Sequence, residues 1–336
     1  MFKFVRSPSV ASGEFGEVFV QNQHAIKVKK ITSKAAPRYG IISSGYHDSP
    51  GGSTDSIKSR YTASPSGGYS QVETVGKEND TFYDTYSDFD REKFILGKLK
   101  PICTGQYLCL QDQKIYGDEI EGTDYIVTEY LEGYEPLLNY LSKENVKHNT
   151  EFYKPVFFRL IDALEILHGS NIAHSDIHTT NIMVNKDRFI RYVDFGLSCY
   201  DGKDKNERYD TCLTGLRTFL APELLQQNPP NMSREVARQA DIWALGMTIY
   251  VSICIISDGT MGVMPPFMEE KEEKLSASIV TKWLEGAQAT FLIIDDSFGI
   301  DLNCLLNVLP EERNLMASLG TKYYEFKQEE KRTGPR

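Results

Sequence analysis

The stretch His174-Ser175-Asp176-Ile177-His178-Thr179-Thr180-Asn181 sets two imidazoles, a carboxylate, three hydroxyls and an amide side by side between apolar segments. Two His and an Asp spaced two and four apart can converge on one metal ion, with zinc the usual occupant of such ligands. A polar turn without chemistry has the same composition, and the stretch alone does not choose between them. Three further groups in the chain carry types that could act on a phosphate or a cation. Ala11-Ser12-Gly13-Glu14-Phe15-Gly16-Glu17-Val18 is a glycine-bearing turn whose backbone N–H groups could approach phosphate oxygens, although plain hairpin turns read the same way. Lys27, within Ala25-Ile26-Lys27, is either a phosphate ligand or a lysine on an exposed strand face. Tyr192-Val193-Asp194-Phe195-Gly196 puts an acid at the end of an apolar run before a glycine, where its oxygens could hold a hard cation.

The elements that must position these groups are legible from periodicity. Residues 2–31 alternate apolar and polar in short runs broken by glycines, which predicts a small antiparallel sheet. From Thr32 to about Thr81 the chain turns to Ser, Gly, Tyr and Pro, too little apolar area to offset chain entropy, and a disordered insertion is expected. Phe94, Ile95, Leu96 and Leu99 then lie at helical spacing beside Glu92, and Pro101 ends that helix. Strands are expected over Tyr107 to Leu110 and Asp124 to Tyr130. Beyond Gly133 the pattern is helical, with Phe157, Leu160, Ile161, Leu164 and Leu167 three or four residues apart.

A chain of 336 residues, 40% apolar, has enough material for two lobes each with its own core. Its net charge of -10 argues against broad attraction to nucleic acid or anionic membranes, so neither is expected as a partner. Six scattered Cys (103, 109, 199, 212, 254, 304) without a CxxC pair read as reduced thiols, and no disulfide is expected. The N-terminus does not read as a secretory signal, so an intracellular, cytoplasmic setting is expected, with the nucleus open. The apolar run Ile242 to Ile256 is shorter than a membrane span and reads as a buried helix.

Taken in order, the glycine turn, Lys27, Glu92, Asp176, Asn181 and Asp194 resemble the eukaryotic-type protein kinases, from about Val10 to Arg313 without the insertion. Leu220-Ala221-Pro222-Glu223 looks like the family's APE motif, Asp241-Ile242-Trp243-Ala244-Leu245-Gly246 like its DxWxxG helix, and Arg313 like its late arginine, expected to pair with Glu223. The resemblance implies an α+β, bilobal fold: a small antiparallel β-sheet N-lobe (1–131) with one key helix, a larger mainly α-helical C-lobe (132–325) and a charged tail (326–336). It implies transfer of the γ-phosphate of ATP, assisted by Mg²⁺, to a protein hydroxyl, serine/threonine by the family's commoner habit. Asp176 would be the catalytic base. Lys27, held by Glu92, would take the α- and β-phosphates beneath the glycine turn at Ala11, Gly13 and Gly16. Asn181 and Asp194 would hold the metal; Thr128, Glu129 and Leu131 would meet the adenine edge, with Val18, Ala25 and Met183 against its faces. His174 would be structural, packed on Phe195.

The departures from the family pattern bear on mechanism. Ala11 replaces the first glycine of the turn. Ser175 replaces an arginine that in the family pairs with an activation-segment phosphate, so activity independent of phosphorylation at Ser198, Thr211, Thr214 and Thr218 is expected. His178 stands where most serine/threonine kinases place a lysine on the γ-phosphate, and Leu216 where they place the threonine bracing it. His178 then either supplies charge as a cation beside phosphate or merely caps the loop. Two other readings stay open. One is a pseudokinase that binds or scaffolds; against it, Lys27, Glu92, Asp176, Asn181 and Asp194 are all kept. The other is a small-molecule phosphotransferase with an HxDxHxxN loop, a class that usually lacks the APE and DxWxxG pair. The residues set no oligomeric state, and basic protein substrates suit the acidic chain best.

Overall fold

The computed structural model describes residues 11–12, 16–21, 24–29, 88–102, 125–143, 150–201, 212–225, 232–268 and 275–333. The expected insertion over 32–81, the strand over Tyr107 to Leu110 and Gly13 of the glycine turn lie outside these residues.

Four antiparallel strands, β1 (Ala11–Ser12), β2 (Gly16–Gln21), β3 (His24–Lys29) and β4 (Tyr125–Glu129), make one sheet in that order. Phe19, Ile26, Val28, Tyr125 and Val127 cluster as its core. Helix α1 (Asp88–Leu99) turns one face inward, burying Phe89, Glu92, Ile95, Leu96 and Leu99, residues three or four apart as one helix face demands. A 3₁₀ turn over Lys100–Ile102 follows, with Pro101 unable to continue the helix. After β4 the chain reverses at Gly133, whose φ of 76° suits a residue without Cβ, and enters the second lobe through β5 (Tyr134–Pro136) and α2 (Leu137–Leu141).

The second lobe is built on α3 (Thr150–Gly169), α4 (Arg234–Ile256) and α5 (Ala277–Phe298). By length and composition Glu235–Ile256 could cross a membrane, but 89% of its apolar window is buried in the fold, as the sequence reading of this run anticipated. Gly246 lets α4 approach the following segment closely: a Cβ there would stand 2.9 Å from Leu305 and Leu306 side-chain atoms. Against the helices lie a three-stranded sheet, in the order β5, β7 (Ile182–Asn185), β8 (Ile190–Tyr192), and a pair formed by β6 (Ile172–Ala173) and β9 (Cys199–Tyr200). The polar stretch of 174–181 is the loop between β6 and β7, and Asp194-Phe195-Gly196 the loop between β8 and β9.

Two expectations need correction. The chain past 325 is not a separate tail: α6 (Thr321–Thr333) runs through it, with Phe326 packed on Phe158 at 5.5 Å and Glu330 accepting from Arg159 Nη2 at 2.9 Å. Its composition is charged, but a few anchors on one face suffice to dock it. Nor are all thiols free: Cys199 and Cys212 form a disulfide, while Cys254 and Cys304 are free. The two cysteines are 13 residues apart, and spacing along the chain does not announce the pairing.

Candidate active site

Lys27 occupies the centre of the first sheet, paired across β2 with Val18 and across β4 with Ile126. Its ammonium reaches out of the sheet to two acids from different parts of the chain: Glu92 Oε2 on α1 at 2.5 Å and Asp194 Oδ1 at 3.3 Å. Burial would push the lysine's pKa down, but the two carboxylates outweigh it and hold the group above its ordinary value, firmly cationic. Burial pushes Glu92 up, and the ammonium beside it pulls it back.

Asp176 is held from three sides. Asn181 Nδ2 donates to its Oδ2 at 2.8 Å and to its backbone carbonyl at 3.0 Å; the backbone N–H of Leu216 donates to Oδ1 at 3.1 Å; and His178 Nε2 lies 3.5 Å from Oδ2. Burial alone would raise this carboxyl, yet the His178 ring and the Leu216 amide stabilise its charged form, and its pKa lies below the usual value. A Cβ on Gly215 would collide with the Asp176 carboxylate, so the backbone approaches it here as only glycine allows.

The loop carrying Asp176 hangs from α4. Asp241 accepts the backbone N–H groups of His174 and Ser175, both at 2.7 Å, and faces His168 Nε2 at 3.0 Å. Ser175 and Asp194 have φ of 66° and 64°, a left-handed region that non-glycine residues seldom occupy unless the surroundings impose it; for Ser175 the bond to Asp241 does so. Nothing in the sequence stretch itself pointed to Asp241 as the loop's holder. Its one signal in the sequence was its place at the head of the DxWxxG-like motif, seven residues into α4.

His174 is fully buried, packs on Phe195 at 4.8 Å, and has both ring nitrogens engaged: Nε2 with the Val193 carbonyl at 3.1 Å, Nδ1 accepting the Asp176 N–H at 3.3 Å. A zinc ligand needs a free nitrogen lone pair, and among the described residues no cluster of three His, Cys, Asp or Glu could hold a metal. Asn181 and Asp194 instead offer hard oxygen donors. Asn181 spends its Nδ2 on Asp176, which leaves its amide oxygen for a cation, and its carbonyl accepts the N–H of Val193, the residue before Asp194, at 3.0 Å. One or two protein oxygens completed by phosphate and water is the ordinary arrangement for Mg²⁺, so the donor set fits that ion.

His178 turns Nδ1 toward Thr180, 2.8 Å from its hydroxyl and 3.4 Å from its backbone N–H, and its ring rests near Phe219 at 5.8 Å. An N–H aimed at Nδ1 requires a lone pair there, which assigns the proton to Nε2, facing Asp176. Thr180 was passed over in the sequence, where a hydroxyl in a polar loop has no distinguishing mark.

The other predicted residues are placed as follows. Ala11 and Gly16 lie on β1 and β2 at the edge of the sheet, Val18 on β2, Ala25 on β3 opposite Thr128 on β4, and Glu129 at the end of β4. Leu131 follows in the crossing between lobes, its carbonyl accepting Tyr134 N–H at 3.1 Å. Met183, partly buried, sits on β7 opposite Pro136. Farther off, Arg313 grips Glu223 with two parallel bonds of 2.7 and 2.8 Å, as expected, and also donates to the carbonyls of Gln239 and Asn307.

Residues 109–298 match the family model described as the protein kinase domain. Among curated proteins, the chain is similar to the serine/threonine-protein kinase ppk25 of Schizosaccharomyces pombe, 34% identical over 131 residues, which is 39% of this chain and 29% of the relative. It is also similar to the human RAC-beta serine/threonine-protein kinase, 33% identical over 151 residues, covering 44% and 27% of the two chains. A third relative is the human putative 3-phosphoinositide-dependent protein kinase 2, at 28% over 207 residues, 61% of this chain and 44% of the relative. The chain thus spans less than a third of the length of the first two.

Proposed function

This chain belongs to the protein kinase family, and on that premise we propose that it transfers the γ-phosphate of ATP to a hydroxyl of a protein, serine or threonine as the names of its relatives suggest. The observation that carries the reading is the Lys27 ammonium fixed between Glu92 and Asp194. A cation so oriented is ready for a polyphosphate, and a purely structural ion pair would not need the second acid at the mouth of the Asp176 loop.

In this reading Lys27 takes the α- and β-phosphates and Glu92 keeps it in place. Ala11, Gly13 and Gly16 bring backbone over the phosphates; Val18, Ala25 and Met183 cover the base, with Thr128, Glu129 and Leu131 along its edge. Asn181 and Asp194 hold Mg²⁺, which when bound supplies positive charge to the phosphate oxygens. Asp176, kept ionised by its neighbours, accepts the proton of the attacking hydroxyl. His178, with its Nε2–H toward Asp176, steadies that carboxylate rather than adding charge at the phosphate. A binding-only pseudokinase is disfavoured by the same ion pair. A small-molecule substrate is disfavoured by the Glu223–Arg313 pair, which fixes the segment on which protein substrates of this family rest.

The test is transfer of labelled γ-phosphate from Mg·ATP to the protein itself and to generic protein substrates, with Asp176→Ala and Asp194→Asn beside the wild type, followed by acid hydrolysis. Label on serine or threonine that disappears in both variants supports the proposal. ATP binding without any transferred label would return the chain to the pseudokinase or small-molecule class.

A further inference from the structure

The phosphotransfer reading leaves one covalent feature unused. Cys199 and Cys212, bridged with their Cα atoms 4.7 Å apart, are 1% and 3% exposed. The bond joins two pieces of chain that hold different parts of the site. On one side, β9 pairs Cys199 with Ala173, the Ser198 hydroxyl donates to the His174 carbonyl at 2.9 Å, and Arg91 on α1 donates to the Ser198 carbonyl at 3.0 Å. Tyr200 continues the contact with α1, 6.0 Å from the Phe94 ring and beneath Lys98 at 4.6 Å. Helix α1 is the one that carries Glu92. On the other side, Leu213 N–H donates to the Leu197 carbonyl at 3.2 Å, and three residues on the Leu216 N–H reaches Asp176.

Position 175 offers no arginine to receive a phosphate on this segment, so the segment lacks that electrostatic fastening. A cross-link between Cys199 and Cys212 would supply a covalent one, by removing alternatives open to the two segments it joins. Among the described cysteines Cys254 and Cys304 are free; in a reducing compartment a disulfide beside free thiols is usually transient or redox-sensing.

We propose that Cys199 and Cys212 form a reversible redox-modification site, whose oxidised state fastens the activation segment in the geometry that braces Asp176 and supports turnover. The oxidant is a small-molecule disulfide, RSSR. One protein thiolate attacks it and expels RS⁻; the second thiolate attacks the protein-bound sulfur of the mixed disulfide and expels another RS⁻. Two cysteine thiols thus lose two electrons and two protons, and RSSR leaves as two RSH.

The inference rests on the kinase reading, so its test needs readouts with and without activity. The full chain is equilibrated with dithiothreitol or with glutathione disulfide, and the Cys199–Cys212 peptide is quantified by mass spectrometry without reduction. Initial phosphate-transfer rate and amide hydrogen exchange over 212–225 are then measured for the wild type, Cys199→Ser, Cys212→Ser and, in case serine disturbs folding, Cys212→Ala. The expected result is a bridge in the oxidised wild type only, with stronger protection over 212–225 and a rate about threefold or more above the reduced form. The variants should show the reduced-state rate and protection under both conditions. Absence of the bridge, equal or reversed rates in the two wild-type forms, or variants that still respond to glutathione disulfide would overturn the proposal. Should no form transfer phosphate while bridge and protection still change together, the redox clamp stands and the kinase reading falls.

Discussion

At the scale of single residues, the site separates groups that must carry charge from groups that must not. Lys27 and Asp176 are held ionised, whereas His174 is buried and its pKa pushed down by that burial, against the pull of Asp241, Asp176 and Asp194. The unfolded chain takes up a proton that folded His174 refuses, so stability rises with pH and is lost as pH falls below about 6.5. Thermal unfolding between pH 7 and 5 should therefore show a steeper loss for the wild type than for His174→Phe, even though the variant starts lower for want of its bond to Val193. Asp176, displaced in the opposite sense to a buried acid, loses its contribution only below the ordinary carboxylate range and does not confuse that window. For His178, the contacts with Asp176 and Thr180 predict that His178→Ala lowers turnover by loosening the Asp176 carboxylate. Lys27, Glu92, Asp176, Asn181 and Asp194 were readable through the resemblance, because their order along the chain follows a known set, while each short motif alone also reads as a plain turn or surface residue. Asp241 showed only as part of a motif, without its bonds to the 174–175 backbone, and Thr180's ring contact with His178 has no distinguishing mark in a polar loop.

At the scale of elements, the described parts of the chain between Asp194 and Glu223 are fastened by buried polar groups. Ser198 is fully buried and gives its hydroxyl to His174, so it is a structural donor and not a free acceptor for phosphate. Thr214 is exposed. Replacing Thr214 and Thr218 together with alanine should leave the transfer rate within about twofold of the wild type if no phosphate is needed there, whereas Ser198→Ala should lower stability by about 1 kcal/mol through its lost bond. Arg313 is a stronger case. Its guanidinium is enclosed and serves Glu223 and two carbonyls at once, so Arg313→Ala strands an acid and two acceptors and should cost about 3–5 kcal/mol in chemical denaturation. Arg313→Lys should recover little, since one ammonium cannot match both carboxylate oxygens. The long helices were plain in the sequence because an apolar face repeating every three or four residues is a local signal. The docking of α6 was not, because a charged helix attached by Tyr323, Phe326 and Glu330 carries too few apolar residues to show its face.

At the scale of the whole molecule, the candidate site draws side chains from both lobes, and α1 shares a core with the second lobe. Lys27 and Glu92 belong to the sheet and α1; Asp176 and Asn181 belong to a loop hung from α4 by Asp241; Asp194, from the loop between β8 and β9, accepts from Lys27. The sequence foretold the bilobal plan, since period-two runs give way to period-three-and-four runs near residue 133. It did not foretell the bridge, which joins segments by an event outside any residue pattern. Sealed at 1% and 3% exposure, the two sulfurs can exchange only when the segment lifts away, because a buried disulfide is out of reach of an attacking thiolate. The oxidised molecule should then respond with hysteresis: its covalent state is written during an oxidising episode and erased more slowly than the episode passes, so that the rate observed at any moment records the history of the protein as well as its present surroundings.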